Sequence, residues 1–229
     1  MVLPVQIFWT AVAVLVGSGQ AGHPQWRRYA TDHFEMWTQA EPGAARQAVN
    51  HLEGVWSLLL SEQHPGMSAP TGRLKVISFS SEQDQIRFRI SPGSPAYFVG
   101  GPNGGFVVLG RLTKQFPTLL RHELTHAFLR SNGIQWPWWI EEGLAGNLAG
   151  QRLGQSGGSR VAYLDRNCVQ TPAPGRLTAC YDQARRHVAW MLSNQERRRD
   201  FDGLLAGIAG AGLGGAQSTK AWNGSIVEQ

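Results

Sequence analysis

Leu119-Leu120-Arg121-His122-Glu123-Leu124-Thr125-His126-Ala127-Phe128-Leu129 is the stretch from which the rest of the chain is read. The run reads as a helix, and on a helix residues four apart share one face. His122 and His126 can therefore offer two imidazole nitrogens to one metal ion. Glu123 is too close to His122 in sequence to share its role as ligand, and stands ready to handle protons instead. Leu119, Leu120, Leu124, Ala127 and Phe128 surround that face with apolar side chains. Two histidines alone also describe an ordinary surface pair. A catalytic zinc usually takes three protein ligands and keeps one position for water, so the reading depends on a third ligand from a nearby helix.

Sixteen residues after His126 stands Glu142, within Pro137-Trp138-Trp139-Ile140-Glu141-Glu142-Gly143-Leu144-Ala145. Pro137 starts this second helix, which runs to about Leu148. With both motifs in view, the chain resembles the gluzincin metallopeptidases of the peptidase MA clan. It is most similar to small bacterial peptidase-MA-like proteins, in which Pro-x-Trp-Ile/Leu-x-Glu-Gly-Leu-Ala carries the third ligand. Glu141 competes for that place, but neighbours on a helix point about 100° apart, so only one of the two faces the metal. The family pattern sets the ligand immediately before Gly143, which favours Glu142 and leaves Glu141 without influence on metal affinity.

The resemblance implies one Zn²⁺ per chain, held by His122, His126 and Glu142, and hydrolysis of a peptide bond in a peptide or protein substrate. Zinc acidifies water and polarises a carbonyl. Glu123 would take the water's proton and pass it to the leaving amine. Gluzincins also carry a group that stabilises the oxyanion. Tyr181 is the candidate, on the inward face of its own helix. Tyr163 is second, and a plain core tyrosine is the alternative for Tyr181. Some gluzincins orient the first histidine with an acidic residue four positions after the Glu ligand. Gly146 occupies that position here, and Asn147 is the nearest polar substitute. The strand read at 104–110 either holds extended substrate by main-chain hydrogen bonds or belongs to a hairpin turning at Asn103-Gly104. Two rival readings stand beside the peptidase: a catalytically silent binding module of the same shape, and a zinc hydrolase of a non-peptide amide.

The chain has 229 residues, a formal charge of +5 and a sequence pI near 9.7. That balance suits a solvated basic surface or an acidic cell-envelope partner, and no nucleic-acid motif accompanies it. The apolar run Ile7 to Val16 is too short to span a bilayer, which takes about 20 residues. With the small residues Gly17 to Ala21 after it, it reads as a secretory signal over 1–21, so no membrane span is expected after processing. No Lys or Arg precedes the run. In an exported protein, Cys168 and Cys180 are expected to form a disulfide.

The expected fold class is α+β, a small twisted sheet with helices followed by a helical lobe. The metal helix would form the floor of the cleft between them. Strands are expected within Trp26 to Thr38 and at Leu74 to Phe79. An amphipathic helix is expected from Ala44 to Leu60, after a turn at Glu41-Pro42-Gly43. Ser81 with Asp84 opens a short helix, Pro92 to Pro102 reads as loop-rich, and Val161 to Leu164 reads as a short strand. Tyr181 to Leu192 is helical with His187 off its buried face. Arg197-Arg198-Arg199 reads as a solvated turn before a last helix from Phe201 to Ile208. The metallopeptidase-like domain then spans 22–208, with a flexible Gly-rich tail over 209–229.

Overall fold

The computed structural model describes residues 25–62, 64–88, 95–101, 104–114, 116–150, 164, 168 and 173–213. The signal-like segment, Tyr163 and the strand expected there lie outside the described residues. The protein is α+β, with a five-stranded mixed sheet and helices packed against it and beyond it.

β1 (Arg27–Ala30) and β2 (Phe34–Thr38) form an antiparallel hairpin at one side of the sheet. β3 (Leu74–Ser78) runs parallel to β2, and β5 (Gly104–Leu109) runs parallel to β3. β4 (Ala96–Gly101) closes the far side antiparallel to β5, giving the order β1-β2-β3-β5-β4. Parallel neighbours need a crossover; α1 (Pro42–Glu62) makes the one from β2 to β3, and α2 (Glu82–Ile86) lies on the path out of β3. Ser81 caps α2, its side chain accepting from the Asp84 N–H as the sequence suggested.

Alternate residues of each strand point to one face. Phe34, Met36, Leu74, Val76, Phe98, Val107 and Leu109 fill the face that meets α1 and α3 (Phe116–Arg130). α1 starts at Pro42, where a missing N–H costs nothing, so the expected turn is its first turn. It buries Ala45, Ala48, Val49, Leu52, Val55, Trp56 and Leu59. Each large side chain so buried contributes about 1.5–3 kcal/mol, which outweighs the cost of about 1 kcal/mol for Gly54 inside the helix. The Trp56 ring meets Phe34 at 5.4 Å and Phe128 at 4.9 Å, tying sheet, α1 and α3 together.

α3 stands between two apolar clusters. Leu120, Leu124, Ala127 and Phe128 join the sheet-side core. Leu129 joins a second core made by α4 (Trp138–Leu148), α5 (Leu177–Met191) and α6 (Gln195–Leu213). α3 ends where Gly133, at φ +71°, donates its N–H to Arg130 O at 3.0 Å; that left-handed conformation suits glycine. Trp136 and Trp139 are buried in the second core, and the Trp136 indole donates to Leu129 O at 2.7 Å. The Cys168–Cys180 disulfide ties residue 168 to the first turns of α5, closing a 12-residue separation. A loop of that length stabilises by about 3 kcal/mol.

Five expectations need correction. Pro92 to Pro102 is not all loop, because Ala96–Gly101 is the strand β4. β4, not the strand at 104–110, is therefore the outer strand beside α3. His187 is buried, its ring 5.1 Å from that of Trp139, because α5 packs against both α4 and α6 and so buries a wider face. The three arginines at 197–199 lie inside α6, which begins earlier because Asn194 Oδ1 accepts the Arg197 N–H at 2.9 Å. α6 also continues through Leu213, so the first residues assigned to the tail are helical.

α4 and α5 approach most closely at Gly143. A methyl group there would lie 2.4 Å from Val188 Cγ2 and 2.7 Å from the Ala184 carbonyl oxygen. The side chain can yield, but the backbone oxygen cannot do so cheaply. Gly143→Ala should therefore destabilise the fold by about 1–3 kcal/mol through overpacking, despite a gain of roughly 1 kcal/mol in helix propensity. A urea unfolding curve reads this as a lower midpoint. A midpoint at or above the parent's would show that α4 and α5 do not need the missing side chain.

Candidate metal centre

α3 presents His122 and His126 one turn apart, their rings 4.8 Å between centroids and steeply inclined at 78°. α4 brings Glu142 to the same point. Its Oε2 lies 3.3 Å from His122 Nε2 and 3.8 Å from His126 Nε2. One ligand atom from each of the three residues falls within 4.8 Å of the others. The contact between α4 and α5 at Gly143 sets where Glu142 can reach, since the residue after the carboxylate is the one packed against α5.

Whether these residues fit a cation can be judged from Glu142 itself. Its Oε2 is buried and accepts no hydrogen bond of ordinary geometry among the described residues. A buried carboxylate oxygen left so is costly. A divalent ion bound by two imidazole nitrogens and this oxygen would remove that cost, and the two-nitrogen, one-oxygen set suits zinc. His122, His126 and Glu142 are thus the residues that could hold a metal.

Glu123 is 7% exposed and lies beside the triad. Burial pushes its carboxyl above the ordinary range, and the Glu142 charge adds to this. Partial compensation comes from the two histidines and from a hydrogen bond to the backbone of Phe98. Phe98 belongs to β4, so the strand inside the segment expected to be loop-rich is the one that meets the Glu123 carboxyl.

Glu141 has a different environment. Its Oε1 accepts from His126 Nδ1 at 3.0 Å and from Arg130 Nε at 2.5 Å. Burial opposes ionisation here too, but those two donors hold the carboxyl below its ordinary value. The sequence reading gave Glu141 no part in the site; the structure sets it on the far nitrogen of a candidate ligand. A signal existed. Arg130 follows His126 by four residues and so shares its helical face. Asn147 does not orient His122. Its Nδ2 donates to Gly143 O at 2.7 Å and to Arg185 O at 2.8 Å, which joins α4 to α5.

Tyr181, on α5, packs its ring 5.1 Å from Trp138. Burial raises its phenol pKa, and the charges of Glu142, Glu123 and Glu141 raise it further. The hydroxyl therefore stays protonated and able to donate, within electrostatic reach of all three carboxylates. The structure brings together His122, Glu123, His126 and Glu142 and leaves Tyr181 at their side, 36% exposed.

No protein-family model and no curated protein matches the chain.

A metal held as described predicts a thermal response. Zinc at about 100 times its dissociation constant should add roughly 2.7 kcal/mol to the unfolding free energy, seen as a higher melting temperature. Glu142→Gln should lose most of that gain. Equal zinc-induced shifts in the variant and the parent would remove Glu142 from the ligand set.

Proposed function

We propose that this chain is a zinc-dependent metallopeptidase of the gluzincin kind that acts outside the cytoplasm. The observation that carries the reading is the convergence of His122 Nε2, His126 Nε2 and the unsatisfied Glu142 Oε2, with the carboxyl of Glu123 alongside. A zinc ion bound there supplies positive charge that acidifies water and polarises a carbonyl group.

The chain's own residues divide the remaining work. Glu123, kept less acidic by its burial, is matched to taking a proton from water and returning it to the departing amine. Tyr181, kept protonated, donates to the oxygen on which negative charge grows. β4 lies beside α3 and pairs only with β5 among the described strands. An extended peptide could add to that edge through main-chain hydrogen bonds, which bring its scissile bond toward Glu123. This reassigns the substrate strand from 104–110, the inner strand, to Ala96–Gly101. Zinc is the metal, a peptide or protein the substrate, and an acidic envelope surface a suitable neighbour for a chain of +5 formal charge.

The proposed location rests on the disulfide, which oxidising compartments favour, and on the signal-like run at 7–16. Among the described residues, no helix is long and apolar enough to cross a membrane.

A mixed-peptide cleavage assay with parallel metal analysis tests this reading. Glu123→Gln should keep zinc while kcat/KM falls about 10²–10⁴-fold. Tyr181→Phe should lower kcat about 10²–10³-fold with KM and zinc content nearly unchanged. Glu123→Gln retaining more than roughly a tenth of the parent rate would remove Glu123 as the base. A parent that binds zinc but cleaves no peptide would contradict the activity and leave a binding module or a different amide substrate.

A further inference from the structure

His126 uses both of its ring nitrogens. Nε2 faces Glu142 Oε2 at 3.8 Å, and Nδ1 faces Glu141 Oε1 at 3.0 Å. An ionised carboxylate can only accept. With the ring neutral and Glu141 ionised, the ring proton sits on Nδ1 and the Nε2 lone pair is left pointing toward Glu142 and His122. Glu141 is itself held, since Arg130 Nε donates to the same Oε1 at 2.5 Å. Glu141 and His126 are buried, at 8% and 6% exposure, whereas the Arg130 side chain is 40% exposed. Arg130 sets a cation directly beside that buried carboxyl while keeping part of its own hydration.

The two glutamates achieve this from one turn of α4. Successive residues turn by about 100°, so Glu142 and Glu141 reach opposite sides of the same imidazole. Glu142 meets its Nε2 side and Glu141 its Nδ1 side.

We propose that Glu141, anchored by Arg130, is the positioning residue of the metal centre, fixing the tautomer and ring orientation of His126 so that Nε2 faces the ion. The assignment rests on the metal reading above. Here a carboxylate from the residue just before the third ligand reaches the second histidine.

Zinc affinity by competition with a coloured chelator, and the visible absorption of the cobalt-substituted protein, test the proposal without reference to turnover. Glu141→Leu should weaken zinc binding about 10–100-fold and shift the cobalt bands. Glu141→Gln should lose less, because its amide oxygen still accepts from Nδ1–H. Arg130→Met, at a partly exposed position, should cause a smaller loss in the same direction. Combining Arg130→Met with Glu141→Leu should bind no more weakly than Glu141→Leu alone, since Arg130 acts through Glu141. Unchanged affinity and unchanged cobalt bands in every variant of a zinc-binding parent would overturn the positioning role and leave the metal reading intact. Additive losses in the double variant would overturn the anchoring by Arg130. A parent without zinc affinity would overturn both this proposal and the reading it rests on.

Discussion

Glu142 Oε2 sits in the interior 3.3 Å from one imidazole nitrogen and 3.8 Å from another, and much of the fold serves to put it there. The histidines need only one helix, because four residues make about one turn. The carboxylate has to arrive from elsewhere. α3 must end, the chain must turn at Gly133, and α4 must begin at a fixed angle to α3. Leu129, Trp136, Trp139 and Ile140 fill the space between the two helices. α5 then presses on α4 from behind at Gly143. With glycine there, the two backbones come close; with any side chain, α4 would be pushed and Glu142 with it. A displacement of about 1 Å is enough to spoil a constellation of this kind.

Three carboxyl groups lie within a few residues of one another in space, yet their environments pull them apart. Glu123 and Glu141 are buried to a similar degree. Among the described residues no guanidinium acts on Glu123, and burial pushes its carboxyl up. Glu141 has Arg130 and the Nδ1 side of His126, and its carboxyl is pulled down. A division of that sort commonly separates the group that moves a proton from the group that stays charged and holds something still. Under the proposed mechanism Glu123 is the first and Glu141 the second, while Glu142 is left for the ion.

The parts that the sequence made readable are those governed by local spacing. The His122/His126 face, the start of α4 after Pro137, the capped α2, the amphipathic α1 and the cysteine pair all follow from rules that act over a few residues. What was missed depends on tertiary neighbours. Ala96–Gly101 is short and ends in glycines, with Pro92, Gly93 and Pro95 before it, so its turn chemistry hid a strand that exists because β5 offers an edge to pair with. A single apolar stripe on α5 leaves His187 outside, whereas α4 and α6 cover two sides of the helix and bury it. Helical phase lets only one of Glu141 and Glu142 face a metal; the same phase puts Glu141 on the other nitrogen of the histidine. The arginines at 197–199 read as a solvated turn, but arginine is a good helix former and the run needs only Asn194 to begin.

The most direct test of the central claim is to locate the ion. Crystals grown with zinc, measured on the two sides of its absorption edge, give an anomalous difference map that marks the metal without assumption. The account predicts one strong peak per chain, about 2.0–2.2 Å from His122 Nε2, His126 Nε2 and Glu142 Oε2, with His126 Nδ1 still on Glu141. A peak at other residues, or one bound by the two histidines with Glu142 turned away, would contradict it.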